Sequence, residues 1–177
     1  SRIVRAAPAQ GTIRGMKIVV FDSDAVTREM FGEALPGEEI IHIDGPVTAD
    51  ALATNADAQI VSVFVSSALR REQIDALPNL KMIAARSTGV DHIDIAYAKE
   101  KGIVVSNVPK YGAHTVAEFT FTLILGLSRR LFEAAYQVRE EGKFDTAALE
   151  GFDLFGKTLG VIGTGAIGRN VVSIARG

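Results

Sequence analysis

The chain has 177 residues, of which 47% are hydrophobic, and its 19 basic and 21 acidic residues give a formal net charge of −2. This composition supports a packed core and excludes a disordered chain, and the near-neutral charge provides no basic surface for nucleic acid or anionic lipid. The chain has no cysteine, which excludes disulfides and thiolate metal sites. We expect a soluble cytoplasmic protein with no metal site and no membrane-spanning segment.

The first fifteen residues differ from the rest of the chain. They contain three arginines and no acidic residue, and they precede Met16, where the first strand pattern begins. We interpret 1–15 as an extension that lies outside the fold. A targeting peptide is the alternative, because such segments are also rich in arginine and poor in acidic residues.

From Met16 to about residue 112, short β-branched runs alternate with helical segments. The predicted strands are 17–21, 39–43, 59–65, 81–86 and 103–107, and the predicted helices are 25–34, 48–54, 70–76 and 94–101. The strands are continuous apolar runs, which is typical of strands that are covered on both faces. Repeated β-α-β units predict one open parallel sheet with right-handed crossovers.

Residues 115–141 are predicted to form one long helix. Thr115 and Glu118 have the spacing of a capping box at its start. The first half of this helix is apolar nearly all round, so we expect it to be buried on several sides. Packing against a second subunit is one explanation, and an ordinary core helix of a single domain is the other.

A glycine motif follows a further predicted strand, 158–162. Gly163, Gly165 and Gly168 have the spacing GxGxxG, and a helical pattern comes after them. In this motif the first glycine permits a tight turn from strand to helix. The second lets the backbone approach a pyrophosphate, and the third lets the helix pack closely on the strand.

The start of the following helix is the predicted binding site for the pyrophosphate. The free amides of Ala166, Ile167 and Gly168 would face the phosphates, and the positive end of the helix dipole favours them. A glycine-rich turn that binds no ligand is the alternative. The acidic residue that binds a ribose about 20 positions later does not occur before Gly177.

A second candidate site lies in the segment that starts at Arg86, after a predicted strand. Ligands of open α/β sheets bind at the carboxyl ends of the strands. Ser87, Thr88 and Gly89 could present backbone amides to a carboxylate. The same residues are equally compatible with a turn that caps the next helix.

Four segments together resemble the D-isomer-specific 2-hydroxyacid dehydrogenases, in particular the branch of D-lactate dehydrogenase. They are ARSTGVDHID at 85–94, VSNVPKYG at 105–112, TVAEFTFTLILGLSRR at 115–130 and FDLFGKTLGVIGTGAIGR at 152–169. The resemblance covers essentially 16–177. It implies a flavodoxin-like substrate domain at 16–112, and a linker helix with the first βα unit of a Rossmann NAD-binding domain at 113–177. It also implies an active site in the cleft between the domains and a homodimer formed through the helix at 115–141.

The resemblance also implies a set of binding residues for a small 2-keto or 2-hydroxy acid and for NAD. Those for the substrate are Ser87, Gly89, Val90, Tyr111, Phe64 and Val65, and those for the cofactor are Gly163, Gly165, Ala166, Ile167, Gly168, Thr115 and Val116. The chain departs from the family pattern at three places. Phe119 replaces a common histidine, Ala166 replaces a frequent basic residue, and Ala113 with His114 replaces a pair that is more often Glu-Asn.

The reaction of the family transfers a hydride between C4 of nicotinamide and C2 of a 2-keto acid. Its arginine, carboxylate and histidine follow the glycine motif, so the resemblance places them after Gly177 and none in this chain. We therefore expect an N-terminal portion that is inactive by itself. Of the histidines present, His42 and His92 do not substitute for the acid, and His114 is interpreted as a polar group near the cofactor. Arg86 is interpreted as a member of a structural ion pair.

Two other functions use similar residues. One is a nicotinamide-sensing corepressor on the same scaffold, in which cofactor binding would switch the binding of a protein partner. The other is an enzyme related to alanine dehydrogenase that would share only the glycine motif. The segments at 85–94 and 105–112 weigh against the second of these.

Overall fold

A computed structural model describes residues 15–177, so most of the predicted extension at 1–15 lies outside the described residues. The described chain divides into a first unit that ends at Pro109 and a second unit, Lys110–Gly177. In the first unit, strands and helices alternate. The strands are β1 (Ile18–Val20), β2 (Ile40–His42), β3 (Ile60–Val63), β4 (Met82–Ala85) and β5 (Val104–Ser106). The helices are α1 (Ala25–Ala34), α2 (Ala49–Thr54), α3 (Arg71–Asp75) and α4 (Ile95–Glu100). Each begins and ends within two residues of its predicted position.

The five strands form one parallel sheet in the order β2-β1-β3-β4-β5. This order confirms the flavodoxin-like sheet that the resemblance implies. In the register of the sheet, Val20 lies opposite Ser62, and Val63 lies opposite Ala85. The strand order reverses beside β1 and β3, and ligands of such sheets bind at that position, outside the carboxyl ends of the strands.

The inner strands β1 and β3 are buried on both faces, as their continuous apolar runs predicted, whereas Val104 of the edge strand β5 is exposed. Val19, Val61 and Ile83 belong to the larger buried cluster. Ile18 and Val20 point to the opposite face and belong to a second buried cluster. Because alternate residues of a strand face opposite sides, only a strand that is buried on both faces has such an uninterrupted apolar run.

Side-chain caps fix where the helices of the first unit begin. The Asp24 carboxylate accepts a hydrogen bond from the Thr27 amide at 2.7 Å. The Asp94 carboxylate accepts one from the Tyr97 amide at 3.0 Å, at the start of α4. Each carboxylate satisfies an amide of the first turn that has no partner within its own helix.

The single long helix predicted at 115–141 is wrong. The second unit contains α5 (Ala113–Ser128) and α6 (Leu131–Glu140), and the chain turns between them at Arg130, whose φ is +50°. The Ser128 carbonyl, which would accept from the amide of residue 132 in a continuous helix, accepts instead from the Phe152 amide at 2.9 Å. The predicted capping box is wrong as well. Gly112 is the N-cap of α5, so Thr115 and Glu118 lie inside the helix.

The predicted strand 158–162 is also absent. The second unit continues through a short 3-10 helix, Ala147–Leu149, to α7 (Ala166–Arg176), and no strand is formed in its described residues. A strand is stabilised by hydrogen bonds to a neighbouring strand, and the described part of the second unit offers no neighbour. Ile162 is fully exposed.

The apolar surface of α5 is only partly covered. The helix packs against α6 and α7, and Ala117, Gly126 and Ser128 are buried. Phe119, Leu123 and Leu127 are exposed. The second unit by itself therefore does not bury the helix on several sides.

Candidate functional site

Two of the predicted substrate loops begin at the ends of neighbouring strands in the first unit. Phe64 and Val65 follow β3, and Ser87 and Gly89 follow β4. The Arg86 amide donates to the Val63 carbonyl at 2.8 Å, which continues the pairing of these strands to their last residues. The two loops therefore lie side by side at the carboxyl edge of the sheet, where ligands of this fold bind.

The turn after β4 is held by a hydrogen bond within it and by bonds to Val108, which follows β5. The buried Ser87 hydroxyl donates to the Gly89 carbonyl at 2.8 Å. The Thr88 hydroxyl donates to the Val108 carbonyl at 2.9 Å, and the Val108 amide donates to the Ser87 carbonyl at 3.0 Å. Among the described residues, the amides of Gly89 and Val90 have no acceptor. The turn therefore offers two amides that can bind a carboxylate.

Asp22, which follows β1 at the same edge of the sheet, is a site residue that was not predicted from the sequence. Its carboxylate accepts hydrogen bonds from the Phe64 amide at 3.2 Å, the Ser66 hydroxyl at 2.7 Å and the Ser67 hydroxyl at 2.5 Å. Its backbone has a φ of +51°. An acidic residue directly after the first strand is the signal that could have identified it.

Arg86 has a different role from the predicted one. Its guanidinium donates to the carbonyls of Phe21 and Asp22 at 2.7 and 2.9 Å and to the Ser62 hydroxyl at 3.0 Å. Within the described chain it forms no ion pair closer than 4 Å, so the prediction of a structural ion pair is wrong. Burial lowers the pKa of Arg86, and the nearby Asp22 and Asp24 carboxylates oppose that effect.

The three histidines differ in their surroundings. The ring of His42 is hydrogen-bonded to the Ser23 hydroxyl at 2.7 Å, and burial lowers its pKa, to which the positive charges of Arg28 and Arg86 contribute. Burial also lowers the pKa of His92, whose Nε2 is buried with no partner among the described residues. His114 lies exposed in the first turn of α5.

The glycine motif forms a tight turn before α7 in the second unit. Gly163 has a φ of +91°, a conformation that residues with a side chain rarely adopt. A Cβ on Gly168 would lie 2.0 Å from the Gly163 carbonyl oxygen and 3.6 Å from a methyl group of Val161. Gly163 is therefore required by its backbone conformation. Gly168 is required because the start of α7 lies directly against the preceding loop.

Gly165 is in open space, which suits the approach of a ligand. A Cβ built on it would meet no atom within 4 Å. Gly165 is also the N-cap of α7, and no side chain caps the helix. The amides of Ala166, Ile167 and Gly168 therefore remain available at the positive end of an 11-residue helix. This cradle fits the pyrophosphate of NAD.

The other predicted cofactor residues lie elsewhere in the second unit. Thr115 and Val116 are in the first turn of α5, and Tyr111 precedes that helix; all three are exposed. A cavity of about 610 Å³ lies between α5, α6 and the segment 147–152, and none of the predicted site residues lines it.

Two negative findings apply to residues 15–177. No group of three or more histidine, aspartate or glutamate side chains is arranged to hold a metal ion. No helix there has the length and apolar composition needed to cross a membrane.

Comparison with protein families gives two matches. Residues 18–148 match the model described as D-isomer specific 2-hydroxyacid dehydrogenase, catalytic domain. Residues 121–177 match the model described as D-isomer specific 2-hydroxyacid dehydrogenase, NAD binding domain.

Individual relatives agree with these matches. The chain is 38% identical to 2-hydroxyacid dehydrogenase homolog 2 of Schizosaccharomyces pombe over 160 residues, which are 88% of this chain and 48% of that protein. The D-lactate dehydrogenase of Aquifex aeolicus, solved with NAD and lactic acid, superposes with a TM-score of 0.80 at 33% identity over 90% of this chain and 48% of that one. For the apo D-lactate dehydrogenase of Escherichia coli the TM-score is 0.74 at 32% identity, over 91% and 52% of the two chains. The chain thus spans about half the length of these relatives.

Proposed function

The chain belongs to the D-isomer specific 2-hydroxyacid dehydrogenase family, and we propose that it supplies the substrate-binding domain and the start of the NAD-binding domain of an oxidoreductase. The reaction interconverts a small 2-keto acid and the D-2-hydroxy acid. The substrate domain comprises 16–112, and 113–177 contains the linker helix and the first part of the cofactor domain.

The observation that carries this proposal is the cradle before α7. Gly163 makes the turn, Gly168 brings the helix against the loop, and Gly165 leaves the space above the helix amides open. We assign the pyrophosphate of NAD to the amides of Ala166 and Ile167. When bound, NAD supplies or accepts the hydride.

The substrate carboxylate is assigned to the amides of Gly89 and Val90. The turn that carries them is fixed by a hydrogen bond within it and by two to Val108, and these two amides remain available. Phe64 and Val65, on the neighbouring loop, are exposed and apolar. We assign them to the lining of the substrate site, together with Tyr111 and Ser87.

Reduction of a keto group also needs a proton donor. His42 is hydrogen-bonded to Ser23, and His92 has a buried Nε2 atom and a lowered pKa, so neither is placed to protonate a substrate. His114 is exposed and has no carboxylate partner among the described residues. We therefore expect activity to require the half of the relatives' length that this chain does not span.

A pair of glycine variants tests the cofactor site. We compare them in a form in which the NAD-binding domain that begins in this chain is complete. Gly165→Ala places a methyl group where the pyrophosphate would approach and should weaken NADH binding by about tenfold or more. Gly160→Ala is the matched control, because its added methyl group would also meet no atom within 4 Å but lies outside the motif. NADH fluorescence measures both affinities.

The outcomes separate the candidate functions. The proposal is supported if only Gly165→Ala weakens NADH binding and if the unmodified form oxidises NADH with pyruvate or phenylpyruvate. NADH binding without turnover of any 2-keto acid favours the corepressor instead. Turnover by the 177-residue chain alone contradicts our assignment of the proton donor.

A second copy of the chain is the proposed partner for the exposed side of α5. Phe119, Leu123 and Leu127 form an apolar surface that the second unit leaves uncovered, and such surfaces mark interaction sites. Leu123→Glu should convert the dimer to a monomer, whereas Glu118→Gln on the same helix should not. Light scattering coupled to size-exclusion chromatography measures the mass. A mass that is unchanged in Leu123→Glu contradicts this proposal.

A further inference from the structure

We propose that Asp22 is a positioning residue of the substrate site, through which the loop after β3 is held in its binding conformation. We call residues 64–67 the β3 loop. This inference rests on the proposed function, because it takes Phe64 and Val65 as substrate-lining residues. Asp22 itself is not assigned a contact with the substrate.

One carboxylate anchors most of the β3 loop. Asp22 Oδ2 accepts from the Phe64 amide and the Ser67 hydroxyl, and Oδ1 accepts from the Ser66 hydroxyl. The Ser67 oxygen also accepts from the Val47 amide at 3.0 Å, which directs its hydroxyl proton toward Asp22. The backbone at Phe64 and the side chains of the two serines are thus fixed by a single group, whereas Phe64 and Val65 project freely.

The backbone of Asp22 is held in an unfavourable conformation. Its φ of +51° is one of two positive values among the described non-glycine residues. A residue with a side chain is disfavoured in this left-handed region, although aspartate and asparagine tolerate it best. The Asp22 amide donates to the Gly45 carbonyl, and its own carbonyl accepts from Arg86, each at 2.9 Å. Neighbouring loops therefore maintain the conformation that points the carboxylate at the β3 loop.

The position of Asp22 in the sheet connects the two substrate loops. It follows β1, beside β3, at the place where the strand order reverses. Through its carboxylate it holds the loop after β3, and through its carbonyl it binds Arg86, which precedes the turn at Gly89. A displacement of Asp22 would therefore move Phe64 relative to the amides proposed for the substrate carboxylate.

Two substitutions separate the carboxylate from the backbone conformation. Asp22→Gly removes the carboxylate but keeps the left-handed φ without strain. Asp22→Asn also tolerates this φ. Its amide oxygen can accept from Phe64 and Ser67, while its nitrogen can donate to the Ser66 oxygen. Ser66→Ala removes one of the three hydrogen bonds and is the intermediate variant.

The experiment uses a form with a complete NAD-binding domain and measures KM for the 2-keto acid, kcat and NADH affinity. We expect Asp22→Gly to raise KM by about tenfold or more, since about 1.4 kcal/mol of lost positioning corresponds to tenfold. NADH affinity should change by less than about twofold. Asp22→Asn should restore KM to within about threefold, and Ser66→Ala should lie between the two. Hydrogen exchange at the β3 loop should accelerate in the same order.

The results that would contradict the role of Asp22 differ from those that would contradict the proposed function. If Asp22→Gly accelerates exchange at the β3 loop but leaves KM unchanged, the loop does not position the substrate and the inference is wrong by itself. If Asp22→Asn is impaired as strongly as Asp22→Gly, the charge of the carboxylate matters and not its hydrogen bonds, which also overturns the inference. If the unmodified enzyme reduces no 2-keto acid, the proposed function fails and the inference fails with it.

Discussion

The two units of the chain differ in how much of their apolar surface they bury for themselves. The first unit closes a five-stranded sheet and buries side chains on both of its faces. Among the described residues beyond Pro109, only Ala117 and Val171 belong to the buried apolar set. Phe119, Phe155 and Ile162 of the second unit are largely exposed. The comparison shows that the same local apolar patterns become buried structure only where the chain supplies the elements that cover them.

Hydrogen exchange should reveal the largest difference between the units. Amides of β3 have strand neighbours on both sides, whereas 158–162 has none. We expect the β3 amides to exchange at least about a thousandfold more slowly than those of 158–162, because exchange in β3 requires opening of the core. Mass spectrometry after a deuterium pulse measures this ratio. Equal protection of the two segments would show that 158–162 is paired and would remove the contrast.

A matched pair of isoleucine substitutions tests the same contrast energetically. Ile83 lies on β4, between β3 and β5, and is completely buried, whereas Ile162 is fully exposed. Ile83→Ala should lower the free energy of unfolding by about 2–5 kcal/mol, through lost burial and the cavity that remains. Ile162→Ala should change it by less than about 0.5 kcal/mol. Urea unfolding followed by circular dichroism gives both values, and similar losses would contradict the comparison.

Two arginines sharpen the contrast at the level of hydrogen bonds. Arg86→Met should lower the free energy of unfolding by about 1–3 kcal/mol. The reason is that the carbonyls of Phe21 and Asp22 lose the half-buried guanidinium that donates to them. Arg129→Met breaks the exposed pair with Asp153, and such pairs contribute about 1 kcal/mol at most. Urea unfolding measures both losses. An equal loss of unfolding free energy in the two variants would contradict the stabilising role of the hydrogen bonds of Arg86.

The smallest predicted effect is a pH dependence of the first unit. Burial lowers the pKa of both His42 and His92, so the unfolded chain binds more protons than the folded one at acidic pH. Stability should therefore be complete at neutral pH and fall as the pH drops below about 6.5, the ordinary pKa of histidine. Each histidine contributes at most about 1.4 kcal/mol per pH unit.

Histidine variants test the origin of this pH dependence. Urea unfolding of His42→Asn and His92→Asn between pH 7 and 5 should each show a shallower loss of stability than the unmodified chain. His114→Asn is the control, because His114 is exposed in the second unit. An unchanged slope in both the His42 and the His92 variants would assign the effect to other groups.

Most of the first unit could be predicted from the sequence, because its signals are local or repeat along the chain. Asp94 caps α4 through the amide three residues later, and such a contact can be recognised from spacing alone. The glycine spacing likewise predicted the turn at Gly163 and the close approach at Gly168. The assignments of substrate and cofactor residues remain predictions that the proposed experiments test.

The errors concern contacts between residues that are distant in the sequence. The break of the long helix follows from the Phe152 amide, which binds the Ser128 carbonyl from 24 residues away. No helical periodicity contains that contact. Arg86 was assigned an ion pair because its charge was known from the sequence, whereas its actual acceptors include carbonyls 64 and 65 residues earlier.

The sequence alone determined the alternation of strands and helices, the parallel sheet and the glycine turn, since each depends on side-chain type at short spacing. Only the tertiary structure decided which of these elements are completed. A helix satisfies its backbone hydrogen bonds within itself, so α7 forms without a partner strand. The run at 158–162 forms no strand, because strand hydrogen bonds must come from another segment. It also decided that Asp22, unremarkable in the sequence, holds the β3 loop, because three donors from one distant segment converge on its carboxylate.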